Sequence, residues 1–165
     1  PLITGPLKVS ETDEPLDLFE IPSLVSKTCQ HISGDPNYNK CVISYCMNGD
    51  IKLLATKKGD TYTSRALLRI VFDEDMNPCL LLEPIYASAK NSAEKEGILQ
   101  LAKQKAKATS MPLFIRDQDS NEPYKGAFSY LGSACTTTYS DILGGKIGNG
   151  ETSFSPLDLK QVELD

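Results

Sequence analysis

Between Tyr62 and Phe72 the chain alternates so that Tyr62, Ser64, Ala66, Leu68, Ile70 and Phe72 fall on one side and Thr63, Arg65, Leu67, Arg69 and Val71 on the other, the period of a strand. The first side is the expected core face. Asp73 to Pro78 turns the chain, and Cys79 to Tyr86 returns antiparallel to it. In that register Glu83 falls within about one position of facing Arg69, which predicts a cross-strand ion pair with a structural purpose. Pro84 has no N–H to give to a ladder, so the second strand is expected to break, bulge or lie at an edge there.

The period then changes. Asn91 and Glu94 have the spacing of a capping box, and Ile98, Leu101, Ala102 and Ala106 form an apolar stripe, predicting a long helix through about Thr109. Ser110-Met111-Pro112 ends it, and Leu113 to Arg116 reads as a short strand. Upstream, Pro22 suits the first turn of a helix and Leu24, Val25 and Thr28 repeat at helical spacing, predicting a short helix from Ile21 to Cys29. Cys41 to Met47 is β-branched and aromatic and is expected as a strand, joined through the Asn48-Gly49-Asp50 turn to another at Ile51 to Lys57. Ala127 to Leu131 and Thr136 to Tyr139 are further short strands. Residues 1–20, rich in Pro, Thr and acids, read as a flexible linker, residues 21–155 as a single domain, and residues 156–165 as a polar tail. The fold class that follows is α+β: a mostly antiparallel sheet with one long helix packed on it.

Composition narrows the function. A chain of 165 residues with 40% hydrophobic and 24% charged positions is a folded domain with its own core, and no run has the apolar length of a membrane span. The net charge of −5, with Arg65, Arg69 and Arg116 as the only arginines, argues against a nucleic-acid binder, which needs a basic face for phosphates. Lys103, Lys105 and Lys107 read as the basic end of the long helix. Five cysteines, an odd number without regular spacing, point to reduced thiols and a cytoplasmic setting. The chain opens without Met or a signal peptide. It is therefore expected to be a piece of a larger intracellular protein, with a protein as its partner.

The order of strands around the Ala- and Lys-rich helix, with LLLEPIYAS placing Pro84 late in the second hairpin strand, resembles the central portion of GNAT-fold acyltransferases, over roughly Ile51 to Arg116. In that family an acyl-CoA enters where one strand bulges and parts from the next, and the resemblance puts that bulge at Pro84. It implies cofactor contacts at Tyr86, Lys90 and Asn91. The family cradles the pyrophosphate on a glycine-bearing loop that opens the helix, where bare N–H groups bind anions. This chain reads AKNSAEKEG there. Its only glycine is Gly97, and Glu94 and Glu96 place negative charge at the helix start, so the cofactor loop is absent and no cofactor is assigned.

A cysteine nucleophile needs a base, and His31 is the only imidazole, so a thiol-dependent site would join Cys135 to His31 with Asp141 nearby. Cys29, His31, Cys41 and Cys46 approximate a zinc set, but the spacing is irregular and the thiols read better as buried and unliganded. GGKIGNG lacks the Lys-Ser/Thr of a phosphate loop and reads as a hairpin around Asn149-Gly150. Asp73, Glu74 and Asp75 read as a solvated run. Two functions stand: a non-catalytic interaction or regulatory domain, or an acyltransferase-like or cysteine-dependent enzyme. An enzyme should gather Arg65, Glu83, Tyr86, Lys90 or Cys135 in a concave pocket, whereas a binding module should expose an apolar patch.

Overall fold

A computed structural model describes residues 6–12, 14–25, 33–87, 92–116, 124, 126–130, 139–140, 145–146, 153–154 and 159–164. The strand β3 (Thr61–Phe72) is the axis of the fold. Before it come β1 (Leu7–Thr12), α1 (Pro15–Leu24), α2 (Pro36–Met47) and β2 (Ile51–Lys58). After it come β4 (Pro78–Leu82), β5 (Tyr86–Ala87), α3 (Ser92–Thr109) and β6 (Leu113–Arg116). Short strands follow: β7 (Phe128–Tyr130), β8 (Tyr139–Ser140), β9 (Gly145–Lys146), β10 (Ser153–Phe154) and β11 (Leu159–Gln161).

The main sheet runs β1-β2-β3-β4-β6-β11. Its pairings are antiparallel except β4 with β6, which are parallel, Leu80 facing Leu113 and Leu82 facing Ile115. Parallel neighbours need a crossover, and α3 supplies it. The fold is thus α+β with a mostly antiparallel sheet, one long helix packed on it, and the strand, strand, strand, helix, strand core expected from the sequence.

Both faces of β3 are buried, not one. Leu54, Ala66, Leu68, Leu80, Leu82 and Leu113 pack under Ile98, Ala102 and Ala106 of α3. On the opposite face Ile51, Leu53, Ala55 and Leu67 pack against Leu18, Ile21 and Val25 and against Cys41 and Tyr45 of α2. Farther along that same face Val71, Cys79, Leu81, Phe114, Phe128, Tyr130 and Leu159 form a second cluster. Alternation identifies a core face only for a strand covered on one side. Here every residue from Thr63 to Arg69 is buried.

Other expectations change for the same reason, tertiary contact overriding local preference. Cys41 to Met47 belongs to the helix α2, not to a strand, because a helix turns Cys41 and Tyr45 together onto Ile51, Leu53 and Leu67 of β2 and β3. The helix expected at Ile21 begins at Pro15 and carries Pro22 inside it; Ser26 to Cys29 lie outside the described residues. Within the stretch read as a linker, Leu7–Thr12 is an edge strand paired with β2, Val9 facing Thr56. Within the stretch read as a polar tail, β11 pairs with β6 and Leu159 is fully buried. Thr136, Asn149 and Gly150 lie outside the described residues.

Candidate functional site

The hairpin of β3 with β4 and β5 carries the predicted irregularity. Leu82 faces Leu68 and Tyr86 faces Arg65, so Ala66 and Leu67 stand opposite three residues, Glu83, Pro84 and Ile85. That is a β-bulge, one residue longer on the Pro84 side. The N–H of Glu83 still donates to the Leu67 carbonyl at 2.9 Å. Beyond Leu82 and Ile115, β5 remains with β3, and no further pairing with β6 is made among the described residues.

Beside the bulge lies a buried polar network. Arg69 Nε donates to Glu83 Oε1 at 2.8 Å, and Ser140 Oγ donates to the same oxygen at 2.9 Å. Tyr130 OH donates to Ser140 Oγ at 3.0 Å. The Arg69 guanidinium lies over the Tyr45 ring at 5.2 Å and near the Tyr130 ring at 5.9 Å. Arg69 faces Leu81 and Glu83 faces Leu67, so the pair is a diagonal on one sheet face, within reach of two long side chains. The ion pair anticipated from the sequence is present. Burial alone would lower the Arg69 pKa; the Glu83 carboxylate, with Tyr45 and Tyr130 behind it, outweighs that and raises it. Burial, with Glu83 close by, pushes the Tyr130 hydroxyl up. Burial likewise raises Asp50, against the opposing pull of a backbone N–H and of Arg69. On the same face, beyond Leu67, Arg65 is buried with its guanidinium over the Tyr86 ring at 5.0 Å. The charges at the bulge are thus enclosed between two apolar clusters, which suits holding the strands together better than meeting a substrate.

At the start of α3, Glu94 sits in the first turn and is only 3% exposed. Its Oε1 lies 3.5 Å from Lys58 Nζ, and its Oε2 is buried with no hydrogen-bond partner among the described residues. The positive end of the helix dipole therefore already has a carboxylate beside it, which opposes a second anion. Gly97 serves packing: a Cβ there would lie 2.9 Å from Val9 Cγ2 on β1. Its place in the chain showed that it was too late for a phosphate loop but not what it touches.

Of the sequence-derived candidates, Tyr86 is half-buried against the α1–α2 side of the sheet. His31, Cys135, Asp141, Lys90 and Asn91 lie outside the described residues. So does Cys29 of the zinc set. Cys41 is buried, and half-buried Cys46 donates to the Val42 carbonyl at 3.3 Å; among the described residues no group of three metal-ligating side chains gathers. Burial pushes the Cys79 thiol up to about 11, with Asp73 adding to it. The acidic turn is braced: Asp73 Oδ1 accepts from the N–H groups of Asn77 at 2.8 Å and Asp75 at 3.0 Å. These bonds, that of Asn77 foremost, hold the Asp73 carboxyl below its usual range. Glu74 Oε1 accepts from the Ala127 N–H at 2.9 Å. The run is a loop brace, which its sequence disguised as simple solvation.

The outer surface of α1 and α2 is unlike the rest. Leu16 is 73% exposed, Leu24 57%, Ile43 51% and Met47 60%, and Met76 is the one other large apolar side chain this exposed among the described residues. Cys46 Sγ lies 4.0 Å from the Pro15 carbonyl, so the start of α1 adjoins the end of α2 and brings Leu16 and Met47 to one end of the helix pair. Ile43 and Met47 are one helical turn apart on one face of α2. Reading this stretch as a strand concealed that spacing. Among the described residues no helix is long and apolar enough to cross a membrane.

No family model matches the chain, and no curated protein matches it in sequence. Solved structures do. A conserved protein of unknown function from Enterococcus faecalis V583, described as a probable N-acyltransferase, matches 69% of this chain at 8% identity and a TM-score of 0.45, over 30% of its own length. The structure of AtaTR bound with AcCoA matches over 68% of this chain and 76% of its own at 10% identity and a TM-score of 0.46. The KacTA–DNA complex matches over 69% and 77% at 15% identity and a TM-score of 0.41.

Proposed function

We propose that this chain is a non-catalytic interaction or regulatory domain of a larger protein, built on an acyltransferase-like scaffold. The observation that carries this reading is the exposed apolar row on α1 and α2, since large apolar side chains gathered on one exposed surface mark a docking site. Two features agree with it. The Arg69–Glu83 pair beside the bulge is sealed in the core, and Glu94 holds negative charge at the helix start that a cofactor pyrophosphate would otherwise use.

A second reading, an acyl-CoA-dependent or cysteine-dependent enzyme, is favoured by the bulge at Pro84, beyond which β4 and β6 are no longer paired among the described residues. On that reading Tyr86, Lys90 and Asn91 meet the cofactor, or Cys135, His31 and Asp141 form the thiol site. Thermal and urea unfolding with and without acetyl-CoA separates the two. A ligand at about 100 times its dissociation constant adds roughly 2.7 kcal/mol of stability. The non-catalytic reading expects no change, and a stabilisation of that size would replace it with the acyltransferase.

A further inference from the structure

We infer that the outer face of α1 and α2 docks a basic amphipathic helix of a partner protein. The inference rests on the non-catalytic reading above and specifies its partner. The two helices turn Leu18, Ile21, Val25, Cys41, Val42 and Tyr45 inward, so their inner faces are fully used by the sheet. Leu16, Ile43 and Met47 remain outside at more than half exposure. Ile43 and Met47, one helical turn apart with Leu16 near the same end, form a row along which the apolar anchors of a helix can lie.

Charge selects the occupant. Along residues 14–25 and 33–47 the ionised side chains are Glu14, Asp17, Glu20 and Asp35 against Lys40 alone. Glu14 and Glu20 are exposed and Asp17 is half-exposed. Two helices that carry an exposed apolar row and four carboxylates against one lysine complement a helix with leucine-like anchors and lysine or arginine flanks. A second copy of this chain fits poorly, because a two-fold contact would set the same carboxylates against one another. An anionic membrane is repelled for the same reason.

The test uses the 165-residue chain, isotopically labelled, titrated with a synthetic helix carrying leucines at i, i+3, i+4 and i+7 and lysines elsewhere. Saturable binding is expected, with amide shifts confined to α1 and α2 and affinity falling as salt rises. The double variant Ile43→Asp with Met47→Asp should weaken it about tenfold or more. Glu20→Lys, which leaves the apolar row intact, should weaken it several-fold. Urea unfolding of each variant checks that the fold is retained. Equal binding of a glutamate-for-lysine peptide or of a scrambled lysine peptide would overturn the inference, as would shifts on another surface. So would self-association on sedimentation that Met47→Asp abolishes. If no helix binds and acetyl-CoA also has no effect, only this choice of partner fails; if acetyl-CoA stabilises the chain, the non-catalytic reading itself fails.

Discussion

Replacing Glu83 with leucine removes the carboxylate that lies 2.8 Å from Arg69 Nε, in a pair whose side chains are 0% and 1% exposed. Water cannot enter to solvate what is left. Breaking a buried pair by deleting one partner costs about 3–5 kcal/mol, and the Ser140 hydroxyl, which donates to the same oxygen, loses its acceptor at about 1 kcal/mol more. Arg69→Met should cost slightly less, because the Glu83 carboxylate keeps the Ser140 hydrogen bond. For a domain of this size each kcal/mol lowers Tm by roughly 2–4 °C, so Arg69→Met should lower it by about 6–20 °C and Glu83→Leu by about 8–24 °C. Joining Arg69→Met to Glu83→Leu leaves neither charge stranded, and shape-matched apolar replacement of a buried pair is often close to neutral. The double variant should therefore lose less than the sum of the singles by at least about 2 kcal/mol. Urea unfolding followed by circular dichroism measures all three against the parent, with equal m-values confirming a common transition. Single losses below about 1 kcal/mol, or additivity in the double, would refute the claim that a sealed ion pair holds β3 to the end of β4.

Gly97→Ala should destabilise the chain by about 1 kcal/mol despite alanine's better helix propensity, because stiff Val9 must move; adding Val9→Ala should recover the loss in the same urea assay. Cys79, its thiol pushed up to about 11, should stay unalkylated by iodoacetamide at pH 8 while the folded chain persists and react on unfolding, as read by mass spectrometry of its peptide. Asp73 has a lowered carboxyl pKa, so its contribution to stability is fully present above the ordinary value of 3.8 and is lost as pH falls through the lowered one. Asp73→Asn should accordingly flatten the acid side of the stability curve, and an unchanged slope below pH 4 would contradict that.

What the sequence made legible was what depends on near neighbours. The alternation of β3, the stripe of α3 and the missing N–H of Pro84 are local properties, and the ion pair of Arg69 with Glu83 follows from one hairpin. What escaped depends on distant partners. Cys41-Val42-Ile43-Ser44-Tyr45 favours a strand by composition, and only the presence of β2 and β3 beneath it makes a helix the way to bury Cys41 and Tyr45. Leu7–Thr12 and Leu159–Gln161 are short and mostly polar, and each becomes a strand by pairing with an edge supplied elsewhere in the chain. The polar network shows the same divide, since Ser140 reaches Glu83 across 57 positions. No periodicity carries information over that distance.

The bulge at Pro84 also makes one point of the sheet tolerant of changes in length. Leu82 is held opposite Leu68 and Tyr86 opposite Arg65, so the residues between them form a spacer clamped at both ends. A chain shortened by Pro84 alone would still set Tyr86 against Arg65, in ordinary pairing with β3, and nothing on either side would change phase. An insertion or deletion within the regular ladder of Leu68–Phe72 with Pro78–Leu82 would turn every later side chain to the opposite face. Comparison of this protein with distant relatives should therefore allow a one-residue gap between Glu83 and Ile85 and resist one in the ladder from Leu68 to Phe72 or from Pro78 to Leu82.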